Sequence, residues 1–543
     1  MRIGIDVGGT NTDAVLINGS DILATVKHPT TPNIGTGIIS AVETLLKSAG
    51  ISGRAVQVVM IGTTHFTNAL VESKNLDEVG IIRLASPSGE ALPPLTAWPE
   101  RIKQQVGDHV FLLPGGYEFD GREIAPLDEG RVRDAAAVCK ARGVNSIAVS
   151  SAFAPINSSM ELRAAEIIRH EHPSASVSLS HEIGRLGIIE RENGVILNAS
   201  LATLATHVVD SFKRALLLLG LEADLFISQN DGTLISSQTA VHYPVMTIGS
   251  GPTNSMRGAA YLTGIRDGIV MDVGGTTCDI GALVNGMPRE SSLSDDIGGI
   301  RTNFRMPDIV SVGLGGGTRI HVDPSQLLDD HLGFRDFCVG PDSAGYKITE
   351  ESFLFGGNTL TASDVAVSCG YASIGDSSQL PPMSDATKRM VWTRIQAILE
   401  DGIDRVKTAA GPTTIIAVGG GHFFVDEEIK GSLHVVRPQH AEVANAVGAA
   451  IAQVGAQIEQ VVDYDNTPRD TALKSLTRSV QARVAEAGGD EKTIEVIDVE
   501  EVFLSYLPGR AAQIRMKAVG ELADFGSPAI VEDRIMPSVH YAH

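Results

Sequence analysis

The sequence predicts a two-lobed α/β fold made from a duplicated unit, with a small α+β appendage at the C-terminal end. Three observations carry this reading. The stretch "IGIDVGGTNTDAVL" at 3–16 returns as "IVMDVGGTTCDIGAL" at 269–283, each time with a second aspartate seven residues after the first. Buried-type apolar runs repeatedly end in glycine loops, as in "IVSVGLGGG" (309–317) and "IIAVGGGHFF" (415–424). From about residue 456 the composition turns to a charged helical stretch followed by strand-like alternation.

Taken in order, 3–7 and 12–17 read as strands, "NGSD" at 18–21 as a tight turn, and 22–27 as a third strand. "TGIISAVETLLKSAG" places apolar residues at helical spacing and stops at Gly50. "VQVVMIGTTHFTNALVE" (56–72) reads as a buried strand, a Gly-Thr-Thr loop and a helix. Strands are expected in "GVNSIAVSSAF" and "ASVSLSHEIG", with a helix from Ser158 to His170 between them. Glu190-Arg191-Glu192 is expected to be a solvated charge cluster at a helix start. "NGVILNASLATLATHVVDSFKRALLLLG" reads as one long helix. The second DVGGT unit repeats the order of the first, with Asn285-Gly286 in the place of Asn18-Gly19. "AEVANAVGAAIAQVGAQIEQVV" (441–462) reads as a helix, 472–487 as another, and "TIEVIDVEEVFLSYLP" and "AAQIRMKAV" as strands. The expected division is 1–188, 189–455 and 456–543.

The 543 residues are too many for one hydrophobic core, and 43% apolar with 20% charged residues suits a globular chain. A net charge of −22 argues against nucleic acid as the main partner, because neutralising phosphates takes an excess of Lys and Arg. The four cysteines show no CxxC spacing, which supports neither a zinc site nor a disulfide framework. No signal-type segment and no uncharged run near ~18–20 residues is present, so no membrane span is expected and the cytoplasm is the expected location.

The repeated D-x-G-G-T-x-x-D carries the chemistry. A strand end delivers Asp6 or Asp272. Gly8, Gly9 and Thr10, and Gly274, Gly275 and Thr276, offer backbone N–H groups and a hydroxyl to phosphate oxygens; Asn11, Thr12 and Thr277 complete the loops. A carboxylate is useful beside phosphate only with a cation between them. Mg²⁺ suits, being typically held by one or two carboxylates plus phosphates. Asp6 and Asp272 are therefore the expected metal ligands, and ATP or a related nucleotide the expected ligand. Asp13 and Asp279 either face the cleft or are strand-edge carboxylates satisfied by loop amides. Neither G-x-x-x-x-G-K-[ST] nor an N-terminal G-x-G-x-x-G is present, so a P-loop and a dinucleotide site are not expected.

The pair of hairpins, with "AVGGGHFF" behind, resembles the two phosphate loops and the adenosine loop of the actin/Hsp70/sugar-kinase fold, an actin-like ATPase built of duplicated ribonuclease H-like domains. "GTTHFTNALVE", "GGYEFDGREIAPLDE", "SHEIGRLGIIERENGVILNASL", "ISQNDGTL", "SGPTNSMRGAA" and "IVSVGLGGG" narrow the match. Together they resemble consecutive blocks of the hydantoinase/oxoprolinase A subunit, over roughly 1–455. The resemblance implies ATP- and Mg²⁺-dependent opening of a small cyclic amide, such as a hydantoin, a lactam or 5-oxoproline. A B-type partner subunit is implied; a homo-oligomer is left open. ATP-dependent carboxylase subunits belong to the same wider family. The fold also admits a small-molecule kinase, or an actin- or chaperone-like regulatory ATPase that is not a small-molecule enzyme.

Within that frame Gly419, Gly420 and Gly421 are expected either to let adenine or ribose lie against backbone or to form a plain turn. Thr63, Thr64 and Asn68 are expected at the substrate, unless the threonines serve to cap the helix that follows. His65 is the candidate general acid/base. Gly315 and Gly316 are expected to approach substrate or the γ-phosphate. The chain departs from the family pattern in carrying Ile61 where a histidine precedes the Gly-Thr-Thr, in Thr253-Asn254-Ser255 after the Gly-Pro, and in a shorter C-terminal region.

Overall fold

Two sheets carry the same strand order. In a computed structural model that describes residues 1–30, 34–291, 295–304, 306–504 and 509–523, Arg2–Val7 pairs antiparallel with Asn11–Asn18, which pairs antiparallel with Asp21–Pro29. On its other side Arg2–Val7 runs parallel to Val58–Thr63, and that strand runs parallel to Asp224–Ser228. The second lobe repeats the pattern. Gly268–Val273 pairs antiparallel with Cys278–Val284, which pairs with Met287–Pro288, while Thr413–Val418 and then Ser432–Val436 add in parallel. Three antiparallel strands extended by two parallel ones, twice in one chain, is the duplicated ribonuclease H-like arrangement of the actin-like ATPase fold.

Each lobe has its own apolar core. Ile3, Ile5, Val59, Ile61 and Phe212 belong to the first, and Met271, Ile280, Ile395, Ile415 and Phe424 to the second. Between Val58–Thr63 and Asp224–Ser228 the chain inserts an all-parallel four-stranded sheet from Val79–Ser86, Val110–Pro114, Ser146–Ser151 and Ser176–Leu179.

Three expectations change. The stretch expected as one long helix is two, Ile188–Ser200 and Ala202–Leu218, bent by 50° at Leu201. Among the described residues no single helix is long and apolar enough to cross a membrane.

Arg191 and Glu192 are not solvated; both are buried. Glu192 takes the guanidinium of Arg83 and, at 2.6 Å, the Ser150 hydroxyl. Arg191 donates to the carbonyls of Arg185 and Leu186 at 2.6 and 2.7 Å. Packing the inserted sheet on this helix dries both charges; the ion pair with Arg83 makes the burial of Glu192 tolerable, and carbonyl acceptors do the same for Arg191.

The segment 441–462 is not one helix. Ala444–Ala450 is helical, and Val454–Asp463 is a strand, in keeping with the alternation of Gln457, Glu459 and Ile458. That strand pairs with Leu234 on one side and with Ala511–Gly520 on the other. Glu495–Phe503 then closes the edge. The expected boundary at 455/456 thus falls inside a strand of the first lobe's nine-stranded sheet, and the one at 188/189 precedes two strands of that sheet. Residues 505–508 of the expected strand "TIEVIDVEEVFLSYLP" lie outside the described residues.

Candidate functional site

The two hairpins match in register as well as in sequence. Asp6 lies across its ladder from Asp13, and Asp272 lies across from Asp279. Directly opposed residues share one face of a sheet, so each hairpin offers two carboxylates side by side. The loops turn alike: Gly8 N donates to Asn11 O at 3.0 Å and Gly274 N to Thr277 O at 2.9 Å. Gly8, Gly9, Gly274 and Gly275 all have negative φ. Their value is the missing Cβ, not backbone freedom. A Cβ on Gly9 would meet nothing within 4 Å, and one on Gly275 would lie 3.5 Å from the Thr10 side chain. The two glycine loops therefore face each other, with Thr10 opposite Gly275.

Two helices cross behind them, Ser250–Thr263 and Ala444–Ala450. They cross backbone to backbone: a Cβ on Gly258 would collide with Ala444 O, and one on Gly448 with Asn254 O. Three residues before each of these glycines stands a hydrogen-bond donor aimed at an aspartate. Asn445 Nδ2 donates to Asp6 Oδ2 at 3.0 Å and to Asp13 Oδ2 at 2.9 Å. Ser255 Oγ donates to Asp272 Oδ2. Asp13 is further paired with Lys27, whose Nζ lies 2.7 Å from Oδ1 and 3.0 Å from Glu442 O in the other lobe. Asp279 accepts instead from the Ser311 hydroxyl.

Burial pushes the carboxyl of Asp6 up to about 7, helped by the charges of Asp13 and Asp272 and opposed by Asn445 and Lys27. Burial likewise raises Asp272, and it takes Asp279 to about 6. Asp6 Oδ1 is buried with no hydrogen-bond partner. Among the described residues no three His, Cys, Asp or Glu side chains gather into a metal cage. The donor set is two carboxylates beside two loops rich in N–H groups. It fits a cation that keeps its waters and shares phosphate oxygens, as Mg²⁺ does.

Asn11 and Thr12 open the return strand. Thr12 is buried and turned toward Thr30, 3.4 Å between hydroxyls, away from the carboxylate face. Thr276 and Thr277 are exposed at the loop tip. Gly419 backs the second aspartate: at φ +84 a Cβ there would collide with Asp272 Oδ1. Gly420 is exposed, with Lys27 Cε 3.6 Å from where its Cβ would be, and Gly421 is buried against Val273.

Thr63, Thr64 and His65 cluster at the end of the strand beside Asp6. His65 Nδ1 is 2.5 Å from Thr63 Oγ1, and burial lowers this imidazole to about 4. Thr64 starts the helix His65–Glu72 without capping it; its hydroxyl donates to Val7 O at 3.3 Å. Asn68 is exposed beside Thr64. Gly315 and Gly316 are buried behind the second loop, where Gly316 N donates to Gly274 O at 3.0 Å and a Cβ on Gly315 would lie 2.6 Å from Thr276 N. They buttress that loop and do not themselves face open space.

Lys27 and Asn445 do not stand out from sequence, and Ser255 stands out only as a departure from small residues. The shared spacing of Ser255 to Gly258 and Asn445 to Gly448 is the signal that could have found two of the three.

Comparisons with known proteins follow the same outline. The model of the hydantoinase/oxoprolinase N-terminal region matches residues 2–172, and that of hydantoinase/oxoprolinase matches 191–418. The caprolactamase subunit alpha of Pseudomonas jessenii is 26% identical over 400 residues, covering 69% of this chain and 55% of that protein. The acetophenone carboxylase gamma subunit of Aromatoleum aromaticum is 27% identical over 477 residues, covering 81% and 62%. The chain thus spans less than two thirds of these relatives. Two solved structures share its fold across 96% of this chain and 88% of theirs. They are the ATP-dependent caprolactamase of Pseudomonas jessenii, with a TM-score of 0.77 at 21% identity, and a nucleotide-free acetone carboxylase, with 0.69 at 20%. With both halves of the duplicated unit matched in chain order, this protein belongs to the hydantoinase/oxoprolinase family.

Proposed function

We propose that this chain is the ATP-dependent subunit of an enzyme that opens a small cyclic amide by phosphorylating its oxygen. The observation that carries the proposal is the pair of facing glycine loops, each flanked by an aspartate, with Asp6 Oδ1 buried and unpartnered between the lobes. Kinship with a lactam-opening enzyme supports the substrate class. The relatives named as subunits support a partner protein.

In the proposed reaction the amide oxygen attacks the γ-phosphorus of ATP. The bond to the β–γ bridging oxygen breaks and ADP leaves. Water then adds to the activated carbon and the ring C–N bond breaks, the proton of that water passing to the departing amine. A second water cleaves the resulting acyl phosphate, releasing phosphate and the carboxylate. The loops of Gly8–Thr10 and Gly274–Thr276 would hold the phosphate chain in line, so positioning and charge neutralisation supply most of the rate. Mg²⁺ held by Asp6 and Asp272 would offset the phosphate charge. An amide oxygen carries no proton, so phosphorylating it needs no strong base. This agrees with a His65 kept neutral and weakly basic at about 4.

A second reading is activation of a ketone for carboxylation, supported by the acetophenone carboxylase relative. That route must first remove a proton from carbon, which calls for a stronger base than His65. The deciding experiment incubates the chain, with and without its partner subunit, with ATP, Mg²⁺ and either a panel of lactams, hydantoins and 5-oxoproline or ketones with bicarbonate. Ring-opened product with stoichiometric ADP is the expected result; carboxylated product would replace the first reading with the second.

A further inference from the structure

Each first aspartate is held by a helix from the other repeat. Ser250–Thr263 follows the fifth strand of the first unit, yet its Ser255 serves Asp272 of the second. Ala444–Ala450 follows the fifth strand of the second unit, yet its Asn445 serves Asp6 and Asp13 of the first. We propose that Asn445 and Ser255 are positioning residues, which make the cation-binding geometry of the two aspartates depend on how these helices sit between the lobes. This rests on the reading of the cleft as a nucleotide and Mg²⁺ site.

The geometry leaves these donors little freedom. Asn445 Oδ1 accepts from Ala446 N at 2.8 Å, which fixes the amide plane. Its Nδ2 is committed to two carboxylates at 3.0 and 2.9 Å. Asp6 is thereby gripped through Oδ2, and the buried oxygen without a partner is Oδ1. No cushion of side chains separates the two helices, because Gly258 and Gly448 bring backbone against backbone. Any rotation of one lobe on the other therefore carries each donor relative to the aspartate it holds. Asn445 orients two carboxylates and Ser255 one, so the first hairpin depends more on this device.

The test measures Mn²⁺ binding by calorimetry to the full chain, with a non-hydrolysable ATP analogue present. Asn445→Ala, the volume-preserving Asn445→Leu, Ser255→Ala and the hydroxyl-retaining Ser255→Thr are compared with the native chain. Partners that orient metal ligands typically contribute 10–100-fold in affinity. We expect Asn445→Ala and Asn445→Leu to weaken Mn²⁺ about 30-fold, Ser255→Ala about tenfold, and Ser255→Thr hardly at all. Analogue affinity without metal should stay unchanged. If the Asn445 variants do not fold, the Ser255 pair decides alone. Native Mn²⁺ affinity in the folded Ala variants, or equal losses in Ser255→Ala and Ser255→Thr, would overturn the positioning role and leave the proposed reaction standing. Intact Mn²⁺ effects without amide-dependent turnover would overturn the reaction and leave the positioning role standing. A native chain that binds no Mn²⁺ would overturn both metal assignments.

Discussion

The two DVGGT hairpins are close copies in backbone and unlike in what surrounds them. Both place an aspartate opposite an aspartate and turn through the same glycine loop. At the position across from the second aspartate the first copy has Lys27, and the second has Ser311. At the helix donor the first has a carboxamide, and the second a hydroxyl. The first half therefore holds its carboxylates with a charge and an amide, and the second half holds its own with two serines. Duplication supplies the clamp, and divergence gives the halves different electrostatics.

The largest test asks whether both halves are needed. Asp6→Asn and Asp272→Asn keep shape and remove one charge each. We expect each to lower kcat/KM for Mg²⁺-dependent ATP turnover about 10³-fold or more, with native circular dichroism. Full activity in either variant would make the clamp one-sided.

The next effect is steric and belongs to the second half. Gly419 has φ +84, and a Cβ there would strike Asp272 Oδ1. Gly419→Ala should cost about 10²-fold in turnover, since misplacement of about 1 Å has that effect. Gly420 is open, so Gly420→Ala should be almost silent, and Gly420→Val should weaken nucleotide binding only, read by calorimetry. Equal effects at the two positions would show that the loop is merely a turn.

Lys27→Met makes the first half resemble the second by removing its charge. It leaves Asp13, 3% exposed, without its ion pair. We expect about tenfold weaker ATP binding, and lower thermal stability that Lys27→Met/Asp13→Asn partly restores. The coupling should be about 1 kcal/mol, because the ammonium itself is one third exposed.

The sequence made the paired hairpins visible because the proposed phosphate and cation chemistry calls for particular residue types at fixed spacing: a carboxylate at the strand end at Asp6 and Asp272, and glycines where backbone N–H groups would approach phosphate. It hid the parts that act across long separations. Asn445 meets Asp6 only because two helices cross at Gly258 and Gly448, and nothing local in "AEVANAVGAA" marks that crossing. The same small residues made 441–462 look continuously helical, although the alternation after Gly455 is that of a strand. Arg191 and Glu192 read as surface charges because their partners, the Ser151 carbonyl for Arg191 and Arg83 and Ser150 for Glu192, come from a sheet inserted about forty to about a hundred residues earlier.

The smallest effect concerns pH and separates the halves by titration. Asp6 has a folded value of about 7 and Asp279 one of about 6, both above the ordinary 3.8. A carboxyl with a raised folded value favours the folded state most when protonated. Its contribution is complete below 3.8 and is lost as pH rises through the folded value. His65, lowered to about 4 from 6.5, works in the opposite sense, losing stability as pH falls from 6.5 to 4. Above pH 6.5 the slope should therefore belong mainly to Asp6. We expect the metal- and nucleotide-free chain to lose on the order of 1 kcal/mol of stability between pH 6.5 and 8, and Asp6→Asn to flatten that slope. Asp279→Asn should leave it nearly intact. Mg²⁺ with nucleotide needs the ionised carboxylates, so the stabilisation they confer should grow over the same interval. Thermal unfolding at half-unit pH steps, with and without Mg²⁺ and a non-hydrolysable ATP analogue, reads both slopes. An apo slope that survives Asp6→Asn would mean that Asp6 is not the group whose protonation changes there, and that its buried oxygen is satisfied as the carboxylate.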